Sequence, residues 1–203
     1  MAKTIYVSYA TPDYMKRLKV LHDSLTSNGI PKDRIDFSSL TLDGDWYDRV
    51  KRKIRFMMDK SQEYSNSVVN LAWIDADAVV VKHPVFLETF NKAWGMATEL
   101  RGGVPFGHLS NCYIVKICAE TYHALELWEK FTLSIKSRTP TQTAFKHMLA
   151  VHDLGFEITD LPLSYCWYEP HKDKHPWKNI TPIIVHDIAS RKTLRKSQGA
   201  SKS

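Results

Sequence analysis

Two aspartates stand two residues apart, at Asp75 and Asp77. They directly follow an apolar run that begins at Val68 and includes Val69, Leu71, Ala72, Trp73 and Ile74. A short, nearly continuous apolar run is the pattern of a strand buried on both faces. In an extended chain residues i and i+2 point to the same side, so this spacing predicts that the two carboxylates converge on one cation. Hard oxygen ligands at a strand end suit Mg²⁺ or Mn²⁺, which would bridge to the phosphates of a substrate. The competing reading is that the acids simply end a strand and cap a turn, since Asp favours turns. Ala78-Val79-Val80-Val81 follows at once, so the pair lies between two strand-like stretches rather than in an ordinary loop.

The elements around this pair alternate. Thr4 to Tyr9 reads as a strand, followed by a turn at Ala10-Thr11-Pro12 and a helix that Asp13 can cap. That helix carries Met15, Leu18, Leu21 and Leu25 on one face and ends near Asn28-Gly29. Ile35 to Leu42 is a second strand. Asp43-Gly44-Asp45 is a turn before a helix with Tyr47, Val50, Ile54, Met57 and Met58 at helical spacing. The strand that ends at Asp75 is third. Alternating strands and helices predict an α/β fold with a mostly parallel central sheet flanked by helices. In such sheets ligands bind beyond the carboxyl ends of the strands, where Tyr9, Ala10 and Thr11 also fall.

The second half is more mixed. It reads as a short helix from Phe86 to Lys92, strands at Gly95–Thr98 and Cys112–Val115, and a helix from Ala119 to Ile135. A helix from Thr141 to just before Gly155 follows, then strands at Phe156–Leu161 and Pro182–Val185. Between the last two strands, Trp167, Tyr168, His171, His175 and Trp177 form an aromatic, histidine-rich connection, read as an acceptor lid or an ordered surface loop.

Composition narrows the class. The chain has 203 residues, 43% of them hydrophobic, which fits one globular domain over residues 1–196. It contains no apolar stretch of the roughly 18 residues that would suggest a membrane span. Met1-Ala2-Lys3 leads straight into the first strand, with no secretory h-region. Cys112, Cys118 and Cys166 lack metal-site spacing and read as reduced thiols, so a cytoplasmic location is expected. The net charge is +6, and Arg191, Lys192, Arg195, Lys196 and Lys202 carry five of those charges. A second basic cluster is Arg49, Lys51, Arg52, Lys53 and Arg55. Such clusters bind phosphates, nucleic acid or acidic surfaces, or are simply solvated. Residues 197–203, small and polar, are expected to form a disordered basic tail.

With these residues in view, the chain resembles the GT-A class of nucleotide-sugar glycosyltransferases, whose Rossmann-like fold carries a D-x-D motif at the end of a buried strand. Asp75-Ala76-Asp77 matches that motif. Five further segments match in the family's order, over about residues 4 to 196: Val7-Ser8-Tyr9-Ala10-Thr11-Pro12, Lys53-Ile54-Arg55-Phe56, Ser110-Asn111-Cys112-Tyr113, Gln142, and Val185-His186-Asp187-Ile188-Ala189-Ser190-Arg191-Lys192. Many members have Asp-Gln or Glu-Gln where this chain has Thr141-Gln142.

The resemblance implies a role for each segment. Tyr9, Ala10 and Thr11 would hold the nucleobase, and Ser110 and Asn111 would face the donor sugar and acceptor. Asp75, Asp77 and His186 would ligate the metal, with Asp75 also able to face the ribose. Lys53, Arg191 and Lys192 would pair with the diphosphate. An imidazole in the set favours Mn²⁺ over Mg²⁺. Gln142 and Asp160 are the candidates for touching the reacting sugar or acceptor, and a C-terminal metal-binding His leans towards transfer with retention.

A small, basic chain of this kind is similar to bacteriophage glycosyltransferases, which would place it in the host cytoplasm. The favoured acceptor is then a hydroxymethylated pyrimidine base in phage DNA, with the basic clusters on DNA phosphates. The alternative acceptor is a cell-envelope glycan or lipopolysaccharide. A metal-dependent nucleotidyltransferase would also use paired carboxylates, but would want a Gly-rich phosphate loop where Tyr9-Ala10-Thr11-Pro12-Asp13 has no glycine.

Overall fold

The computed structural model describes residues 2–42, 46–101, 104–137, 139–168 and 177–186. The first half alternates strand and helix: β1 (Lys3–Ala10), α1 (Met15–Ser27), β2 (Ile35–Ser39), α2 (Trp46–Glu63) and β3 (Val69–Ile74). Then follow β4 (Ala78–Val80), the single turn α3 (Val85–Glu88), β5 (Trp94–Arg101), β6 (Val104–Lys116), α4 (Ala119–Ser134) and α5 (Pro140–Val151). The chain closes with β7 (Ile158–Asp160), β8 (Trp167–Tyr168) and β9 (Ile184–His186).

Six strands form the central sheet in the order β2-β1-β3-β6-β5-β7. Three of its five neighbouring pairs are parallel, β1 with β2, β1 with β3, and β5 with β7. β6 runs antiparallel to both its neighbours. This is the expected α/β sheet, mostly parallel and mixed in the C-terminal half. β2 and β3 flank β1 on opposite sides, so strand order reverses at β1. A crevice therefore opens beyond the carboxyl ends of β1 and β3. Because β6 is antiparallel to β3, its Ser110 and Asn111 lie beside that same end, with Ile74 opposite Cys112.

Side-chain alternation builds a core on each face. On β3, Leu71 and Trp73 pack with Ile54 and Met57 of α2 and with Trp128 and Phe145 of α4 and α5. Ala72 and Ile74 pack on the other face with Leu21 and Leu25 of α1 and Leu87 of α3. All six residues of β3 are buried. That explains its continuous apolar run, since neither face meets water. Burying a side chain such as Leu71 contributes about 2 kcal/mol, so β3 is firmly held and its carboxyl end is a rigid base for chemistry.

Several details depart from the sequence expectation: the helix expected over Phe86–Lys92 is the single turn α3, and β2 ends at Ser39 rather than Leu42. Asp13 does not cap α1. It sits in a short 3-10 turn, Pro12–Tyr14, and α1 begins behind Tyr14 with no side-chain cap. The Cys112–Val115 strand is part of a much longer β6, because irregular pairings at Met96/Ala97 and Glu99/Leu100 let β5 and β6 stay paired through a long hairpin. Trp167 and Tyr168 are not loop but a strand. They join β4 and β9 in a second sheet, ordered β4-β9-β8. That sheet is tied to α1, where the Asn28 side-chain amide donates to the Val80 carbonyl at 3.0 Å and the Val80 N–H to Ser24 Oγ at 3.0 Å.

Candidate active site

Asp75, Ala76 and Asp77 form a turn between β3 and β4. The Asp75 N–H donates to the Asn111 carbonyl at 2.9 Å, and the Asp75 carbonyl accepts the Ala78 N–H at 3.0 Å. The expected convergence of the two acids therefore has a different cause. They are not successive same-side residues of an extended strand; a tight turn brings them together. β9 supplies the third member. Its pairing with β4 sets His186 opposite Ala78, the residue after Asp77. One ligand atom from each of Asp75, Asp77 and His186 lies within 4.8 Å of the others.

The imidazole is prepared for ligation. His186 is 1% exposed, and Nε2 is 3.1 Å from the Tyr165 carbonyl while Nδ1 has no partner. If Nε2–H donates to Tyr165, Nδ1 keeps a lone pair, as in metal-binding histidines whose second nitrogen is fixed by a carbonyl. Burial pushes the His186 pKa down to about 4, so the ring is neutral at physiological pH. Two carboxylates and a neutral imidazole fit a divalent cation, and the nitrogen donor suits Mn²⁺ better than Mg²⁺.

Lys53 sits beneath this group. It is 6% exposed, and its Nζ donates to Asp75 Oδ1 at 2.6 Å and to the Ser110 carbonyl at 2.9 Å. The ammonium also lies 5.1 Å from the centre of the Trp73 ring. Trp73 Nε1 donates to the same Asp75 oxygen at 2.7 Å. Both bonds to the carboxylate thus fall on Oδ1, and Oδ2 is used by neither. The sequence suggested that Lys53 pairs with a diphosphate, whereas its ammonium is bonded to the protein's own carboxylate and carbonyl.

A pocket of about 220 Å³ opens over these residues. One wall is Tyr9, Ala10, Thr11 and Tyr14 with Arg49 and Val50 of α2; another is Ser110, Asn111 and residues Thr139–Gln142; Tyr168 and His186 close a third. Tyr9 is held by edge contacts with Phe56 and Trp73, and its hydroxyl donates to the Arg49 carbonyl. Burial keeps that phenol well above its usual pKa, so it stays protonated. Ser110 Oγ pairs with Thr141 Oγ1 at 2.9 Å, joining β6 to the first turn of α5. Trp128 Nε1 donates to the Thr141 carbonyl at 2.8 Å and fixes that turn from below.

Asn111 stands apart from these satisfied groups. It is 4% exposed, and neither its Oδ1 nor its Nδ2 has a partner. Buried amides are nearly always bonded, so this one, beside the pocket, has hydrogen-bonding capacity that a water or a ligand could take up.

The pocket thus gathers Tyr9, Ala10, Thr11, Lys53, Asp75, Asp77, Ser110, Asn111, Gln142 and His186 from the sequence expectation. Asp160 is not among them. It lies on edge strand β7, three strands from β3 or about 14 Å at ordinary strand spacing, and its Oδ1 accepts the Thr98 N–H at 2.9 Å. Arg191, Lys192, His171 and His175 fall outside the described residues. Tyr14, Arg49, Val50, Thr139 and Pro140 were not singled out as site residues by sequence, and Tyr168 only as part of the aromatic connection read as an acceptor lid or surface loop. Arg49 carried a signal, since it precedes Lys53 by four residues on one helix face.

The arginines of the basic cluster on α2 each face an acid of the same molecule, closely only at Arg55. Arg55 forms a two-pronged pair with Glu129, Arg52 lies 3.7 Å from Asp59, and Arg49 lies 3.6 Å from Asp13. No helix among the described residues is long and apolar enough to cross a membrane.

No protein-family profile matches this chain, and no curated protein matches it by sequence. Solved structures do match. A glycosyltransferase involved in glycosylation of the major capsid of PBCV-1 superposes with a TM-score of 0.66 at 10% identity, over 91% of this chain and 93% of that one. The glycosyltransferase GlyE of Streptococcus pneumoniae gives 0.60 at 15% identity, over 92% of this chain and 54% of that one. The galactosyltransferase LgtC, solved with donor and acceptor sugar analogues, gives 0.56 at 9% identity, over 91% and 87%. At such identities the likeness establishes the fold, and the fold is that of the GT-A glycosyltransferases.

Proposed function

We propose that this chain is a metal-dependent glycosyltransferase that moves a sugar from a nucleoside-diphosphate sugar to a hydroxyl acceptor. The observation that carries the reading is the convergence of Asp75, Asp77 and His186 at the carboxyl end of β3, beside the unmet amide of Asn111. Asp75 Oδ2, Asp77 and His186 Nδ1 would hold Mn²⁺, or Mg²⁺ in its place. A bound divalent cation would offset the charge that develops on the departing diphosphate. Tyr9, Ala10, Thr11 and Tyr14 would seat the nucleoside, for which uridine is the first choice. Asn111 would bond sugar hydroxyls through both amide atoms, and Gln142 would touch the reacting sugar from the first turn of α5. Arg191 and Lys192 remain the proposed diphosphate partners.

Among the described residues the pocket wall carries no carboxylate besides Asp75 and Asp77. An inverting transfer needs a general base at the acceptor, so transfer with retention is the reading we favour. The anomeric configuration of the product, read by NMR, tests it; an inverted product would contradict it. For the acceptor, hydroxymethylated DNA keeps the support of Arg195 and Lys196 only, since Arg191 and Lys192 are assigned to the diphosphate, and the α2 cluster lends it little because its arginines face acids of the same chain. A cell-envelope glycan is the alternative. Transfer assays with each acceptor, wild type against Asp77→Ala, test the reading. The variant should fold normally and lose metal-dependent turnover by about a hundredfold or more, as expected when a direct ligand is lost. Normal turnover by Asp77→Ala would remove the basis of the metal assignment.

A further inference from the structure

Lys53 has a charge that the proposed chemistry does not use directly, and the structure fixes where that charge sits. The side chain rises from the middle of α2, is buried, and ends in two bonds, to Asp75 Oδ1 and the Ser110 carbonyl, over the face of Trp73. Swinging it out toward a ligand would take the donor from the buried Ser110 carbonyl and leave Asp75 Oδ1 with the Trp73 N–H alone, which is costly. Its charge is therefore a fixed component of the site.

The balance of charge then has a consequence. Asp75 and Asp77 contribute two negative charges, His186 is neutral, and Lys53 contributes one positive charge. Counted over these four described residues alone, the group carries one net negative charge, although it is built for a divalent cation. Once such a cation is bound, the centre carries a surplus positive charge. A nucleoside diphosphate supplies the missing negative charge.

We propose, on the basis of the metal-dependent donor site above, that Lys53 is a fixed counter-charge that makes metal and nucleoside-diphosphate binding depend on each other. A carboxylate that meets an ammonium through Oδ1 and a cation through Oδ2 holds the two about 5 Å apart. Repulsion between one and two positive charges at that separation weakens metal binding about tenfold even at the dielectric of water, and more in a partly buried site. The metal alone therefore binds weakly, and the diphosphate restores its affinity by the same coupling that the metal exerts on the diphosphate. Lys53 thus acts through Asp75 and through its field, as a positioning and charge-setting residue.

The test is Mn²⁺ affinity of the full chain, read from the paramagnetic resonance of free Mn²⁺, with and without uridine diphosphate, each titration corrected by a protein-free blank for the Mn²⁺ that the nucleotide itself chelates. In wild type, uridine diphosphate should tighten Mn²⁺ binding by about tenfold or more. Lys53→Met, which keeps the apolar stem, should bind Mn²⁺ alone about tenfold more tightly than wild type and gain less from the nucleotide. Lys53→Arg, which keeps the charge, should follow wild type. Mn²⁺ binding by Lys53→Met that is unchanged or weaker would overturn the inference and leave Lys53 as a structural tie. So would wild type binding Mn²⁺ equally well without nucleotide, whichever variants fold. Absence of Mn²⁺ binding to wild type under both conditions would instead overturn the proposed metal site, and the inference with it.

Discussion

Asn111→Leu separates what this protein needs for folding from what it needs for its ligand. Asn111 is 4% exposed with both amide atoms unpartnered. An unmet buried polar atom costs about 1–3 kcal/mol. Leucine has the same branching and removes both atoms, while its slightly larger volume costs about 1 kcal/mol in a packed wall. The variant should therefore be more stable than wild type by about 1–2 kcal/mol. For a chain of this length that corresponds to a rise in melting temperature of roughly 3–6 °C. Donor binding should move the other way, since two hydrogen bonds to sugar hydroxyls are lost, and affinity should fall about tenfold or more. Thermal melting in chelator and calorimetry with nucleotide sugars read the two effects independently. A lower melting temperature would mean that the amide is satisfied in the folded protein. Unchanged donor affinity would mean that no ligand uses it. Either result would refute the reasoning.

Further expectations follow from single contacts. The His186 imidazole binds a proton near pH 6.5 in the unfolded chain and near pH 4 in the folded one, so the unfolded state takes up more protons between these values. Stability of the metal-free protein should be level above about pH 6.5 and fall as the pH drops toward 4, by up to about 3 kcal/mol. Urea midpoints in chelator, compared with His186→Gln, would isolate this contribution, and identical pH profiles would contradict it. Gly95→Ala should destabilise by about 1–3 kcal/mol, because an added Cβ would lie 2.8 Å from both Ile114 Cγ2 and Phe90 Cε2. A melting temperature equal to wild type would show that β5 and Phe90 can part more easily than their packing suggests.

The first half of the fold was legible because its signals are local and periodic. The apolar run before Asp75, the leucine spacing of α1 and the turn at Asn28-Gly29 each report burial or backbone geometry within a few residues. Gly29 has φ of 86°, the left-handed conformation a helix end favours. The meeting of Asp75 with His186 was legible only through family resemblance, since more than a hundred residues of chain separate them. Its physical cause, the β4-β9-β8 sheet, was not visible. Three strands of two or three residues carry too little alternation to be told from loop, and Trp167 and Tyr168 read as a surface connection for that reason. Lys53 was misleading in another way. On an amphipathic helix its spacing reads as a solvated charge and only the family resemblance tied it to the site; the fold reveals that it turns inward to Asp75. Asp160 followed the strand-end rule and landed on the far edge, because sequence does not give the order of β5, β6 and β7 across the sheet.

The measurement that bears most directly on the central claim is calorimetric titration of the protein with a panel of nucleotide sugars, each with Mn²⁺ and again with chelator. The account predicts that one donor binds, that the binding needs the metal, and that Asp77→Ala abolishes the metal's effect. A panel that gives no binding with or without Mn²⁺, or a donor that binds equally well in chelator, would contradict it.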